Sequence, residues 1–139
     1  MSRTFFVESS LYNNMIAGTG LDIVEIERFS KALERNGKTF IKKVFTKGER
    51  KYSDSQHNPL QHYAARFAAK EAVLKAIKTG WTKGTSWQDV EIIRCRDGSV
   101  RVSMKNISEK IAKQKKIKQI HLTITHTKDY AAAFAVAEM

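Results

Sequence analysis

Two carboxylates stand where apolar residues would be expected. Asp22 interrupts the run "GTGLDIVEI" at residues 18–26. A buried, unpaired carboxylate costs roughly several kcal/mol or more, so Asp22 either reaches solvent or has a partner. Glu71 falls between Phe67 and Leu74 in "RFAAKEAVLKA", at the edge of an apolar stripe with helical spacing. Lys75 follows on the same side, and alone this spacing describes a solvated pair worth roughly a few tenths of a kcal/mol. If Asp22 and Glu71 meet in space, their repulsion demands a cation. Oxygen ligands of this kind suit Mg²⁺, which completes its shell with waters and phosphate oxygens. Arg66 and Lys70, on the same helical stretch, would then attract the phosphates. The solvated pair and the metal site both remain open at this level.

His126, in "LTITHT", stands at a strand end between two threonines. It reads either as a turn histidine satisfied by hydrogen bonds or as a phosphate contact. His57, His62 and His121 have no zinc spacing, and there is one cysteine, which argues against structural zinc. That cysteine, Cys95, alternates with apolar residues in "VEIIRC" and reads as a core thiol. It cannot form an internal disulfide, and a reducing cytoplasm is the simplest setting. "GTGLDI" lacks the Gly-Lys-Ser/Thr end of a phosphate-binding loop and the third glycine of a dinucleotide fingerprint. No Gly-x-Ser-x-Gly nucleophile motif is present.

The elements that must position these residues belong to one domain. The chain has 139 residues, 42% hydrophobic and 28% charged, the profile of a soluble globular protein. Lysine and arginine number 25 against 14 acids, a net charge of +11. Such a surface attracts polyanions: nucleic acid, phosphorylated small molecules or an acidic protein. No apolar run approaches the roughly 20 residues of a membrane helix. Residues 1–14 lack a signal-peptide pattern and read as an N-terminal extension or expression remnant, with Met15 as the natural start of a domain over 15–139.

Periodicity predicts a strand over 16–24 and a helix over 25–36 stopped by Asn36-Gly37, then a short helix over 38–45. "TKGE" at 46–49 and "NISE" at 106–109 match capping patterns that open helices. Asn58-Pro59 predicts an N-cap and first position of a long helix reaching residue 78, with Leu60, Tyr63, Phe67, Leu74 and Ile77 as its apolar stripe. Strands over 90–96 and 99–104 flank the Asp97-Gly98 turn, and strands over 120–125 and 130–137 flank "HTKD". This order suggests an α+β fold, helices on one face of a mostly antiparallel sheet.

Three segments resemble one family. "GTGLDIVEIERF" is similar to its N-terminal motif, "RFAAKEAVLKA" to its central Phe-x-x-Lys-Glu-x-x-x-Lys motif, and "LTITHTKDYAAAFAV" to its C-terminal hairpin. Together they resemble holo-acyl-carrier-protein synthase, the small type of 4′-phosphopantetheinyl transferase, over residues 15–139. The resemblance implies that type's fold and transfer of 4′-phosphopantetheine from coenzyme A to a serine of apo-acyl carrier protein. Adenosine 3′,5′-bisphosphate is released, fatty acid biosynthesis is served, and Mg²⁺ is required. It also implies a cytoplasmic homotrimer with sites in clefts between subunits, with neither membrane nor nucleic acid as partner.

By the same resemblance Asp22 and Glu71 bind the metal, and Glu71 or a water beside it takes the serine proton. Lys75 stabilises the phosphoryl charge. Arg66, His126 and Lys70 bind the coenzyme, and Arg28 docks the acidic carrier. Lys78, in "KTG", stands where the family often has glycine, which predicts an altered backbone contact with the coenzyme. "QHNP" replaces the frequent basic residues before the central helix, with His57 as a substitute. Glu25, a third nearby acid, is not assigned. The competing reading is a basic nucleic-acid-binding module, resting on the charge and on the helix over 106–116.

Overall fold

The computed structural model describes residues 15–80 and 84–139; the proposed extension over 1–14 lies outside the described residues. Strand β1 (Ile16–Glu25) leads into helix α1 (Ile26–Val44), followed by α2 (Lys47–Asp54) and α3 (Pro59–Ala76). A 3₁₀ turn (Trp87–Asp89), strands β2 (Val90–Arg94) and β3 (Val100–Met104), helix α4 (Asn106–Gln114), and strands β4 (Gln119–His126) and β5 (Tyr130–Glu138) complete the chain. The α+β expectation holds, but the strands form two antiparallel sheets, β1-β5-β4 and β2-β3. Among the described residues no helix is long and apolar enough to cross a membrane.

Alternation sets the faces of the larger sheet. On β5, Ala131, Ala133, Ala135 and Ala137 are buried while Tyr130 and Phe134 stand outward. Small inward residues let α3 lie close, and α3 answers with Ala64, Ala65, Ala68, Ala69, Ala72 and Ala76, all buried. The closest approach is at Gly18 and Gly20 of β1, where an added Cβ would lie 2.1 Å from the Ala76 carbonyl oxygen and 1.8 Å from that of Ala72. "GTG" is thus a notch for the central helix. The stripe predicted for α3 is too narrow, because the helix is buried on several faces, Arg66 and Lys70 included.

Local signals behave unevenly. Thr46 and Glu49 form a full capping box on α2. Asn58 makes no side-chain cap, although Pro59 does open α3. Asn106 does not cap α4 either; it takes φ +56°, and its side chain donates to Asp89 Oδ1 at 2.9 Å. The predicted stop at Asn36 is a kink within α1, where φ −137° and ψ 40° leave the helical region. Cys95 is half-buried at the β2–β3 turn, where its N–H donates to Ser99, rather than in the core.

Candidate active site

Strand β1 points Asp22 inward, on the face shared with Gly18, Gly20 and Val24. Asp22 faces α3, and its side chain remains 19% exposed. Its partner is Lys75, whose Nζ donates to Asp22 Oδ1 at 3.1 Å and to the Leu21 carbonyl at 2.9 Å. The i,i+4 arithmetic pointed Lys75 toward Glu71; the lysine instead crosses to the neighbouring strand.

Asp22 and Glu71 line one cleft of about 560 Å³, between β1, α1 and α3. Glu25 and Arg28 share its wall, and Phe29, Phe40 and Phe67 give it an apolar side. The phenyl rings lock that side through Phe29–Phe40 and Phe29–Phe67 contacts at 6.1 and 5.7 Å. Two carboxylates entering from a rigid strand and a buried helix are the arrangement the sequence could only assume. Among the described residues no group of three or more His, Cys, Asp or Glu side chains could hold a metal. An ion here would therefore take the two carboxylates plus ligand and water oxygens, the set that Mg²⁺ favours.

Arg66 and His126 lie elsewhere. They line a second pocket of about 240 Å³ at the β4 edge of the sheet, with Tyr52, His62, Arg94 and Ser99. Arg66 is 2% exposed, and its guanidinium stacks over the Tyr52 ring, 4.2 Å from the centroid. Burial pulls it below the ordinary arginine range. The Tyr52 hydroxyl accepts a hydrogen bond from Arg94. Tyr52, His62 and Arg94 went unassigned in the sequence, because they come from three separate elements with no motif among them. The stand-in expected at His57 does not line this pocket.

Lys70 requires a correction. It is fully buried, pairs with Glu49 Oε1 at 2.8 Å, and donates to the carbonyls of Trp87 (3.0 Å) and Val90. Burial lowers its pKa, and Glu49 opposes that shift. Glu49 in turn accepts from the N–H groups of Thr46 and Ile92. The pair fastens α2, α3 and β2 together, so Lys70 has no ammonium proton directed at a coenzyme. Alternating charge in "AAKEAVLK" gave no means of telling the inward lysine from the outward one.

Lys78 also changes meaning. It holds φ +56° just past the end of α3, where its N–H bonds the Lys75 carbonyl and that of Thr79 bonds Leu74. This is a Schellman cap, whose left-handed position favours glycine. The helix end alone is thus a reason for glycine at this position, and Lys78 holds the same backbone conformation.

The chain is similar to known proteins over most of its length. A family profile for the 4′-phosphopantetheinyl transferase superfamily matches residues 18–135. The chain is 42% identical to a holo-[acyl-carrier-protein] synthase of Solibacter usitatus, over 89% of this chain and 99% of that protein. It is 43% identical to one from Chlamydia trachomatis, over 87% and 98%. A crystal structure of the Neisseria meningitidis holo-[acyl-carrier-protein] synthase superposes with a TM-score of 0.83 at 30% identity, covering 90% of this chain and all of that one. The Bacillus anthracis synthase, solved in complex with CoA (3′,5′-ADP), superposes with a TM-score of 0.73 at 32% identity, covering 89% and 97%.

Proposed function

The chain belongs to the holo-[acyl-carrier-protein] synthases of the 4′-phosphopantetheinyl transferase superfamily, and from that premise we propose which of its residues carry the reaction. The enzyme transfers 4′-phosphopantetheine from coenzyme A to a serine of apo-acyl carrier protein, in support of fatty acid biosynthesis. The observation that carries the site assignment is the single cleft lined by Asp22 and Glu71 from separate elements.

Asp22 and Glu71 would hold Mg²⁺. When bound, the ion supplies charge neutralisation at the coenzyme diphosphate. Lys75 orients the Asp22 carboxylate through their 3.1 Å ion pair. Its ammonium, on a half-exposed side chain, would also stabilise negative charge gathering on the phosphoryl oxygens. Glu71 takes the proton from the attacking serine hydroxyl. The serine oxygen then bonds to the phosphorus bearing the pantetheine arm, the phosphoanhydride breaks, and adenosine 3′,5′-bisphosphate leaves. The apolar wall of Phe29, Phe40 and Phe67 limits water at that step. Arg28, exposed on the cleft wall, meets the acidic carrier protein. Arg66 and His126 bind coenzyme phosphates in the second pocket.

The working assembly is a homotrimer. Two observations support it. The outward face of the larger sheet exposes Ile16, Leu21, Ile23, Tyr130 and Phe134, each 42–65% accessible. An apolar patch on this scale marks an interaction surface. The acidic cleft and the basic pocket also sit at opposite edges of the sheet, β1 and β4. A neighbouring copy would supply the basic half to each acidic half.

The test mixes the protein with coenzyme A, Mg²⁺ and an apo-carrier protein and weighs the carrier. A mass gain of one phosphopantetheine arm is expected. Asp22→Ala should keep its circular-dichroism spectrum and lose transfer; loss of both would make Asp22 structural and remove the site. Mixed Asp22→Ala and Arg66→Ala subunits should regain activity after exchange, since each supplies the half the other lacks. No recovery in exchanged mixtures would refute the shared site.

A further inference from the structure

The pocket beside β4 is unusually positive. His62, Arg66, Arg94 and His126 converge on its 240 Å³ with Tyr52, and among the described residues no carboxylate lines it. Arg66 is buried, yet its Nε has no hydrogen-bond partner among the described residues. A desolvated guanidinium N–H without an acceptor is costly, and an anion would relieve that cost. His62 sits among these groups. Its ring meets that of Tyr52 at 5.6 Å and that of His126 at 5.4 Å, both edge-on. The charged and titratable groups facing it are Tyr52 from α2, Arg66 from its own helix, Arg94 from β2 and His126 from β4. Burial first, and these cations next, hold the free His62 imidazole below the ordinary histidine range. An anion in the pocket reverses the sign of that field.

We propose that His62 takes up a proton when a phosphate group of the coenzyme enters this pocket, so that coenzyme binding is linked to pH. The inference rests on the coenzyme A reading given above. The proton comes from solvent onto the ring nitrogen and returns to solvent when the anion leaves. Linkage fixes the sign. The complex favours protonated His62, so affinity is highest at low pH. It falls as pH rises from the free value, below 6.5, to the value in the complex, and is flat above that.

Isothermal calorimetry of coenzyme A with Mg²⁺ present, between pH 6 and 8.5 in two buffers of different ionisation heat, tests this. Wild type should gain up to about one proton on binding near neutral pH. Its affinity should fall about tenfold for each unit by which the anion raises the His62 pKa. His62→Phe and His62→Gln should lose that uptake and keep only the part owed to the ligand's own phosphate. Equal uptake by wild type and both variants overturns the proposal. Failure of all three proteins to bind coenzyme A overturns the coenzyme reading and this inference with it. Dephospho-coenzyme A identifies the anion. Uptake retained assigns the diphosphate to the pocket, and uptake lost assigns the 3′-phosphomonoester.

Discussion

Gly20→Ala should damage this enzyme more than its single methyl suggests. The new Cβ would stand 1.8 Å from the Ala72 carbonyl oxygen, 2.8 Å from its carbon and 2.9 Å from the Ala76 nitrogen. It would land on the turn of α3 that runs from Ala72 to Ala76. Ordinary contact begins near 3.4 Å, so strand and helix must part by about 1.6 Å. Neither side yields easily: β1 is hydrogen-bonded to β5, and α3 is packed on several faces. Overpacking usually costs about 1–3 kcal/mol, and with backbone on both sides the upper end, about 3 kcal/mol, applies here. The same movement separates Asp22, two residues along β1, from Glu71, beside Ala72. A misplacement of about 1 Å is worth about 100-fold in rate, so the folded fraction should lose about that much. Urea unfolding and carrier mass gain measure the two effects. Gly80→Ala is the control, since none of the described residues lies within 4 Å of its added Cβ, and it should stay within about 0.5 kcal/mol of wild type. A Gly20→Ala protein within 1 kcal/mol of wild type, by the usual ~0.5 kcal/mol scatter of surface changes, would refute the tight notch.

Lys78→Gly should raise stability by about 1 kcal/mol, since glycine removes the left-handed strain at φ +56°; a lower midpoint in urea would contradict the helix-end reading. Lys70→Met leaves Glu49 buried without its cation and should cost about 3–5 kcal/mol, whereas Glu49→Met combined with Lys70→Met should recover part of that. If Lys70→Met melts with wild type, the pair does not fasten the fold. The ligand-free protein should lose more stability between pH 7.5 and 5.5 than His62→Gln does. The folded His62 pKa is depressed, so its contribution is present above 6.5 and is lost as pH falls toward the folded value. Parallel melting curves for the two proteins would count against a depressed His62.

Much of the fold was legible because its signals are local. The Thr46–Glu49 capping box and the Pro59 start each depend on neighbours within a few residues, and each appears as read. The Asp97-Gly98 turn forms in a longer loop than read: the strands stop at Arg94 and resume at Val100, and these two residues pair. Asn58 and Asn106 misled because a capping pattern does not fix φ, and both backbones took other values. The separation into two sheets was hidden, since which strand edges pair depends on contacts far apart in sequence.

Residue types alone determined that this chain carries two out-of-place carboxylates, a helical lysine beside one of them and a large positive charge. The resemblance of three segments to known motifs attached these features to a transferase family. Tertiary structure decided their use. Lys75 reaches across to Asp22, Lys70 turns inward to Glu49, and Arg66 joins Tyr52, His62, Arg94 and His126 at the far edge of the sheet. A helix presents a new direction every 100° or so of turn, and only the packing of that helix against β1 and β5 settles which directions become core, cleft or pocket.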